Sequence, residues 1–155
     1  MGRWTETSRI LRIMRINTDH AHDGSSHLST GRLIEGDVTG QVIGAFYSVY
    51  NELRFGFLEK VYAGALEVEF QERNISYVRE LPLEVYFRGR VVGTYRADFL
   101  VGGTVIVEIK ATRQLADADR RQLLHYLRAT GLEIGLLLHF GQKAEFHRMV
   151  YVRES

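Results

Sequence analysis

An α/β domain with a central mixed β-sheet flanked by helices, in the order ααβββαββ, is what this sequence predicts. Three observations predict it. Apolar residues recur at helical spacing from Asp37 to Arg73. The pattern then switches to the period-two alternation of strands, punctuated by glycine turns. One helical stretch interrupts the strands before two final ones, and such a mixture builds a sheet with helical cover.

The first helix is expected from Asp37 to Leu53, where Val38, Val42, Ile43, Ala45, Phe46, Val49 and Tyr50 form one apolar stripe. Arg54-Phe55-Gly56 ends it. A second helix runs from Phe57 to about Arg73, with Leu58, Val61, Tyr62, Ala65, Leu66, Val68 and Phe70 making it strongly apolar. Strands follow at Leu83–Phe87 and Val91–Val101, joined through Arg88-Gly89-Arg90, and a third at Thr104–Ala111 after Gly102-Gly103. Asp117 or Asp119 can cap a helix that reaches about Thr130 and closes at Gly131. Ile134–His139 reads as a buried strand and Ala144–Val152 as a more exposed one.

A chain of 155 residues suits one domain with a full core. Residues 1–31 are set apart as a flexible N-terminal tail, and 32–155 form the folded domain. The tail opens with arginine interleaved among Ile, Leu and Met, without the unbroken apolar stretch of a secretory signal. Its second half is rich in Gly, Ser, His and Asp. His20, His22, Asp23 and His27 there carry ligand types that suit Zn, Cu or Ni, but in a linker nothing orients the rings. With no cysteine, disulfides and thiolate metal sites are excluded, which fits a reducing compartment. No apolar run approaches the roughly 18 residues of a membrane span, so no membrane is expected and a cytoplasmic location is. Twenty basic residues against 19 acidic ones give a net charge of +1, so any nucleic-acid-binding face must be local.

The second and third strands carry the chemistry. Ile106, Glu108 and Lys110 share one strand face, because residues two apart look the same way. In the strand before, Tyr95, Ala97 and Phe99 are expected on one face, with Arg96, Asp98 and Leu100 on the other. A two-residue turn at Gly102-Gly103 would set Asp98 and Glu108 on opposite faces. A three-residue loop ending at Thr104 would set them side by side. Two carboxylates so placed repel unless a cation or a proton lies between them. Hard oxygen ligands of this kind suit Mg²⁺ or Mn²⁺. Lys110 would stabilise charge building on a phosphate. The same spacing also fits an ion-pair ladder on an exposed sheet face.

Asp98, nine intervening residues, then Glu108-Ile109-Lys110 resembles the signature of the PD-(D/E)XK nuclease superfamily. Gly56-Phe57-Leu58-Glu59-Lys60-Val61-Tyr62 resembles the motif that names its GxxExxY branch, and the similarity runs from about Ile34 to Tyr151. The resemblance implies a restriction-endonuclease-like fold. It implies a metal held by Asp98, Glu108 and the main-chain carbonyl of Ile109, with Glu59 completing the site and Lys110 as the catalytic lysine. Where the superfamily often has a proline before the aspartate, Arg96-Ala97 stand here. Glu59 shares a helical stripe with Tyr62, Leu66 and Phe70, which places it on an inward face; it also suits a helix start.

Gln122 and Tyr126 match a Q-x-x-x-Y element of RecB-like members and lie on one helix face, where they can hold Lys110 or a phosphate. A partly buried tyrosine beside a capping glutamine would look the same. Arg96 and Arg113 are the basic residues nearest the expected site and are candidates for phosphate contacts. The expected function is a metal-dependent nuclease acting on DNA rather than RNA. The alternative is a nucleic-acid-binding or protein-interaction module that keeps the fold with little turnover. The two apolar helices admit a homodimer.

Overall fold

The computed structural model describes residues 31–154. Two helices come first, α1 (Gly31–Leu53) and α2 (Glu59–Glu72). Strands β1 (Tyr77–Phe87), β2 (Arg90–Val101) and β3 (Val105–Lys110) follow, then α3 (Asp117–Thr130), β4 (Ile134–Phe140) and β5 (Ala144–Val150). This is the expected order, ααβββαββ. The tail and the histidines at 20, 22 and 27 lie outside the described residues.

The five strands form one sheet in the order β1-β2-β3-β4-β5. Neighbours are antiparallel except β3 and β4, which α3 connects as a parallel pair. A parallel pair needs such a crossover, because a tight turn cannot return the chain to the same end. The crossover puts α3 on one face of the sheet, leaving α1 and α2 to cover the other.

Each face has its own apolar core. Val42, Phe46, Val49 and Tyr50 of α1 and Tyr62, Leu66 and Phe70 of α2 pack on Phe99, Val101, Val105, Val107, Ile109, Leu136, Leu138 and Phe140. On the opposite face Leu123, Tyr126 and Leu127 of α3 pack on Leu81, Leu83, Ala97, Leu100, Ile106 and Leu137. Strands β3 and β4 are buried throughout their apolar positions, as expected for strands covered on both sides.

Several boundaries move. Helix α1 starts six residues earlier than its apolar stripe, at Gly31. The second helix begins at Glu59 rather than Phe57, with Leu58 as its extended N-cap. Its apolar character misleads in part, since Leu58, Val61 and Val68 are exposed. Strand β1 reaches back to Tyr77, six residues before the alternating stretch. Pro82 is tolerated there because β1 is an edge strand, with a ladder on one side alone. Helix α3 is capped at Ala116, and Asp119 stabilises that end from within the first turn by accepting the Ala116 N–H at 2.9 Å. Gly131, with φ of 72°, closes it.

Candidate active site

The site begins with a loop length. Val101 pairs with Val105, Leu100 with Ile106 and Phe99 with Val107, so Gly102, Gly103 and Thr104 form a three-residue connection. Both glycines have positive φ, 59° and 68°, which a side chain would strain. This register brings Asp98 level with Glu108.

At that point the ladder stops, and side chains take over its hydrogen bonds. The Asp98 N–H donates to Glu108 Oε1 at 2.9 Å, and the Ile109 N–H donates to Asp98 Oδ2 at 2.7 Å. Each carboxylate thus caps a main-chain group of the opposite strand, which fixes both rotamers. The second oxygens, Asp98 Oδ1 and Glu108 Oε2, make no hydrogen bond among the described residues.

The expected facing of β2 needs correction here. Phe99 packs under α1 and α2, whereas Ala97 packs with Leu100 on the α3 side. The alternation therefore breaks between Ala97 and Leu100. Across the ladder, Arg79 pairs with Phe99 and Leu81 with Ala97, but Glu80 and Asp98 do not pair. Glu80 has φ of 53°, a left-handed conformation costing a non-glycine residue on the order of 1 kcal/mol. The distortion lifts Asp98 out of the β1 ladder and turns it toward β3. Nothing in the side-chain pattern of Glu80 announces it.

Lys110 stands on the α3 side with Glu108. Its Nζ donates to Gln122 Oε1 at 3.1 Å and lies 3.7 Å from Asp119 Oδ1. Gln122 is therefore beside the lysine, one of the two roles that the Q-x-x-x-Y resemblance implied. Asp119 was expected only as a cap. Its place three residues before Gln122, on the same helix face, is the signal that links it to Lys110. Tyr126 is buried on the same face, its ring 6.0 Å from that of Tyr95. Burial first, then the charges of Glu108 and Asp98, push the Tyr126 hydroxyl up to about 12, so it stays a neutral donor.

The two carboxyls are electrostatically uncomfortable. Glu108 is 4% exposed, and burial followed by the Asp98 charge pushes it up to about 8. Asp98 is raised as well, through burial, against the Ile109 N–H and the Lys110 charge that favour its anion. One proton shared across neutral pH, or one cation, relieves the pair.

Glu59 differs from its expected inward place. It opens α2 and is exposed, although its stripe mates Tyr62, Leu66 and Phe70 are buried. Its carboxyl is still raised, by partial burial and then by the Asp98 charge, with Lys110 opposing. It therefore borders the site. Among the described residues no three His, Cys, Asp or Glu side chains cluster as a metal-holding group. Arg96 is exposed, 3.8 Å from Glu80 Oε2, and Arg113 is exposed on the β3–α3 loop. Neither touches the carboxylate pair.

His139 pairs with Lys110 in the ladder and is buried. Its Nε2 lies 2.6 Å from the Thr112 carbonyl, tying the loop after β3 to β4. Singly placed histidines carry no such information in a sequence.

The family model of the PD-(D/E)XK nuclease superfamily matches residues 36–149. The chain belongs to that superfamily, and its five-stranded mixed sheet with helical flanks is consistent with the restriction-endonuclease-like fold. Solved structures similar to it include an alkaline exonuclease, LHK-Exo, from Laribacter hongkongensis. The two are 14% identical with a TM-score of 0.46, over 60% of this chain and 56% of that one. The chain thus spans little more than half of that exonuclease. Another is SSO0001, 16% identical with a TM-score of 0.49, over 99% of this chain and 81% of that one. No curated protein matches the sequence.

Proposed function

We propose that the protein is a Mg²⁺- or Mn²⁺-dependent nuclease of the GxxExxY branch that hydrolyses phosphodiester bonds in DNA rather than RNA. The observation that supports this most is the crossed pair of hydrogen bonds at Asp98 and Glu108, with the Lys110 ammonium held on the Glu108 side. An ordinary surface ladder would leave these groups solvated and free to rotate.

The donor set fits a small divalent ion. Mg²⁺ keeps several waters and binds through one or two carboxylates. Asp98 Oδ1 and Glu108 Oε2 would supply these, with the Ile109 carbonyl as a third oxygen. When bound, the ion supplies charge neutralisation at the phosphate and a water acidified toward neutral pH.

The chain's own groups do the rest. Asp98 and Glu108 have their other oxygens tied to main-chain N–H groups, so they cannot swing away when a phosphate approaches. Lys110 Nζ, positioned by Gln122 and Asp119, can donate to a non-bridging phosphate oxygen as its charge builds, or orient the attacking water. Glu59, exposed at the rim with its carboxyl raised by partial burial and then by the Asp98 charge, would complete the metal site. Arg96 and Arg113 would meet phosphates farther along the strand, where contacts position rather than react.

The test is cleavage of DNA by the purified chain with Mg²⁺ or Mn²⁺. Asp98→Ala and Lys110→Ala are each expected to lower the rate at least about 100-fold, with melting temperature little changed. Cleavage persisting in both variants would remove the assignment.

A further inference from the structure

The connection between α1 and α2 places Phe55, Phe57 and Leu58 in solvent, with Phe57 48% and Leu58 68% exposed. Single exposed apolar residues are ordinary. These three lie within four positions, and their backbone is fixed from beneath. The Tyr62 hydroxyl accepts the Phe57 N–H at 3.2 Å and donates to the Arg54 carbonyl. Its ring meets Phe57 edge-on, centroids 6.1 Å apart, and stacks on Phe140 at 4.1 Å. Gly56, with φ of 121°, makes the sharp bend that separates the two phenylalanines. The Phe57 ring is thus preorganised at the protein surface, with Phe55 exposed on the other side of the bend.

The platform adjoins the site. Leu58 directly precedes Glu59, whose carboxyl is raised by partial burial and then by the Asp98 charge. Arg54 and Lys60, both exposed, bracket the rings, with the exposed Glu52 and Glu59 carboxylates beside them. Exposed rings with a guanidinium at one end and an ammonium at the other match a polynucleotide whose bases are unpaired, because bases stack on rings while phosphates meet the cations. A continuous duplex keeps its base faces covered. A second copy of this chain would need an interface of about 20–30 residues a side, far more than this loop offers.

We propose that residues 54–58 form a stacking platform for an unpaired base, and that the substrate is single-stranded DNA or a frayed DNA end. This rests on the nuclease reading above for the position of the scissile phosphate.

The test measures binding of the full chain, in EDTA, to a labelled oligothymidylate of about 20 nucleotides and to a duplex of equal length. Phe57→Ala is expected to weaken single-strand binding about 5- to 100-fold and duplex binding less than about twofold. Phe57→Tyr is expected to bind as the wild type does, and Leu58→Ser to weaken the single strand alone, which separates stacking from damage to the fold. Unchanged single-strand affinity in Phe57→Ala and Leu58→Ser would overturn the proposal. So would an equal loss on both substrates, or a change only in sedimentation, which would mark a contact between copies. Cleavage of the same oligonucleotide with Mn²⁺ keeps the two readings apart. Cleavage without Phe57-dependent binding sinks the platform alone, and Phe57-dependent binding without cleavage sinks the nuclease alone.

Discussion

Glu108 is the most deeply buried acid of the candidate site, and its response to pH follows from that. Its folded-state value near 8 lies above the ordinary 4.5 because burial and Asp98 disfavour the anion. The folded protein therefore holds this proton more tightly than the unfolded chain. The stability so gained is full below about pH 4.5 and is lost as pH rises through about 8. Melting temperature in EDTA should fall across that interval, and Glu108→Gln should remove most of the fall. A flat wild-type profile would contradict the burial argument. Lys110 invites a second test, since its ammonium is held by Gln122 at 3.1 Å. Gln122→Ala is expected to lower kcat about tenfold with little change in KM, measured by steady-state cleavage. An unchanged kcat would show that Gln122 does not position the lysine.

Strands and helices set those residues in place through close approaches as much as through patterns. Helix α3 lies so near β4 that a Cβ at Gly135 would sit 2.8 Å from Leu123 Cδ1, itself fully buried. Gly135→Ala is expected to destabilise the protein by about 1–3 kcal/mol in urea unfolding, through overpacking. No loss would mean that α3 can retreat, and with it Asp119 and Gln122. The facing of β3 was legible because strict alternation survives there: Val105, Val107 and Ile109 go to one core and Ile106 to the other. The facing of β2 was not. Its alternation fails at Asp98, opposite a glutamate in a left-handed conformation, and no residue type at that position signals the distortion. The three-residue loop was legible as one of two requirements, since an odd connection or a bulge is needed to bring Asp98 and Glu108 together.

The arrangement of the complete sheet explains why the fold was easier to read than its chemistry. Two apolar helices, three strands, one crossover helix and two strands leave few ways to cover both faces, and α3 must lie opposite α1 and α2. The site gathers from β2, β3 and α3, so its separations along the chain say little about distance. Gln122 could be linked to Lys110 through a family motif, whereas Asp119, one helical turn earlier, could not. Glu59 shows the opposite failure: its wheel position pointed inward, but as the first residue of α2 it lies where the chain has not yet packed on the sheet. No described helix is long and apolar enough to cross a membrane.

Calorimetric titration of Mn²⁺ into the purified chain, wild type against Asp98→Ala, asks whether the paired carboxylates hold a divalent ion. One ion per chain should bind the wild type, with release of protons below about pH 8 as Glu108 gives up its own, and that binding should be lost in the variant. Equal binding by both proteins, or none by the wild type, would overturn that reading of the pair.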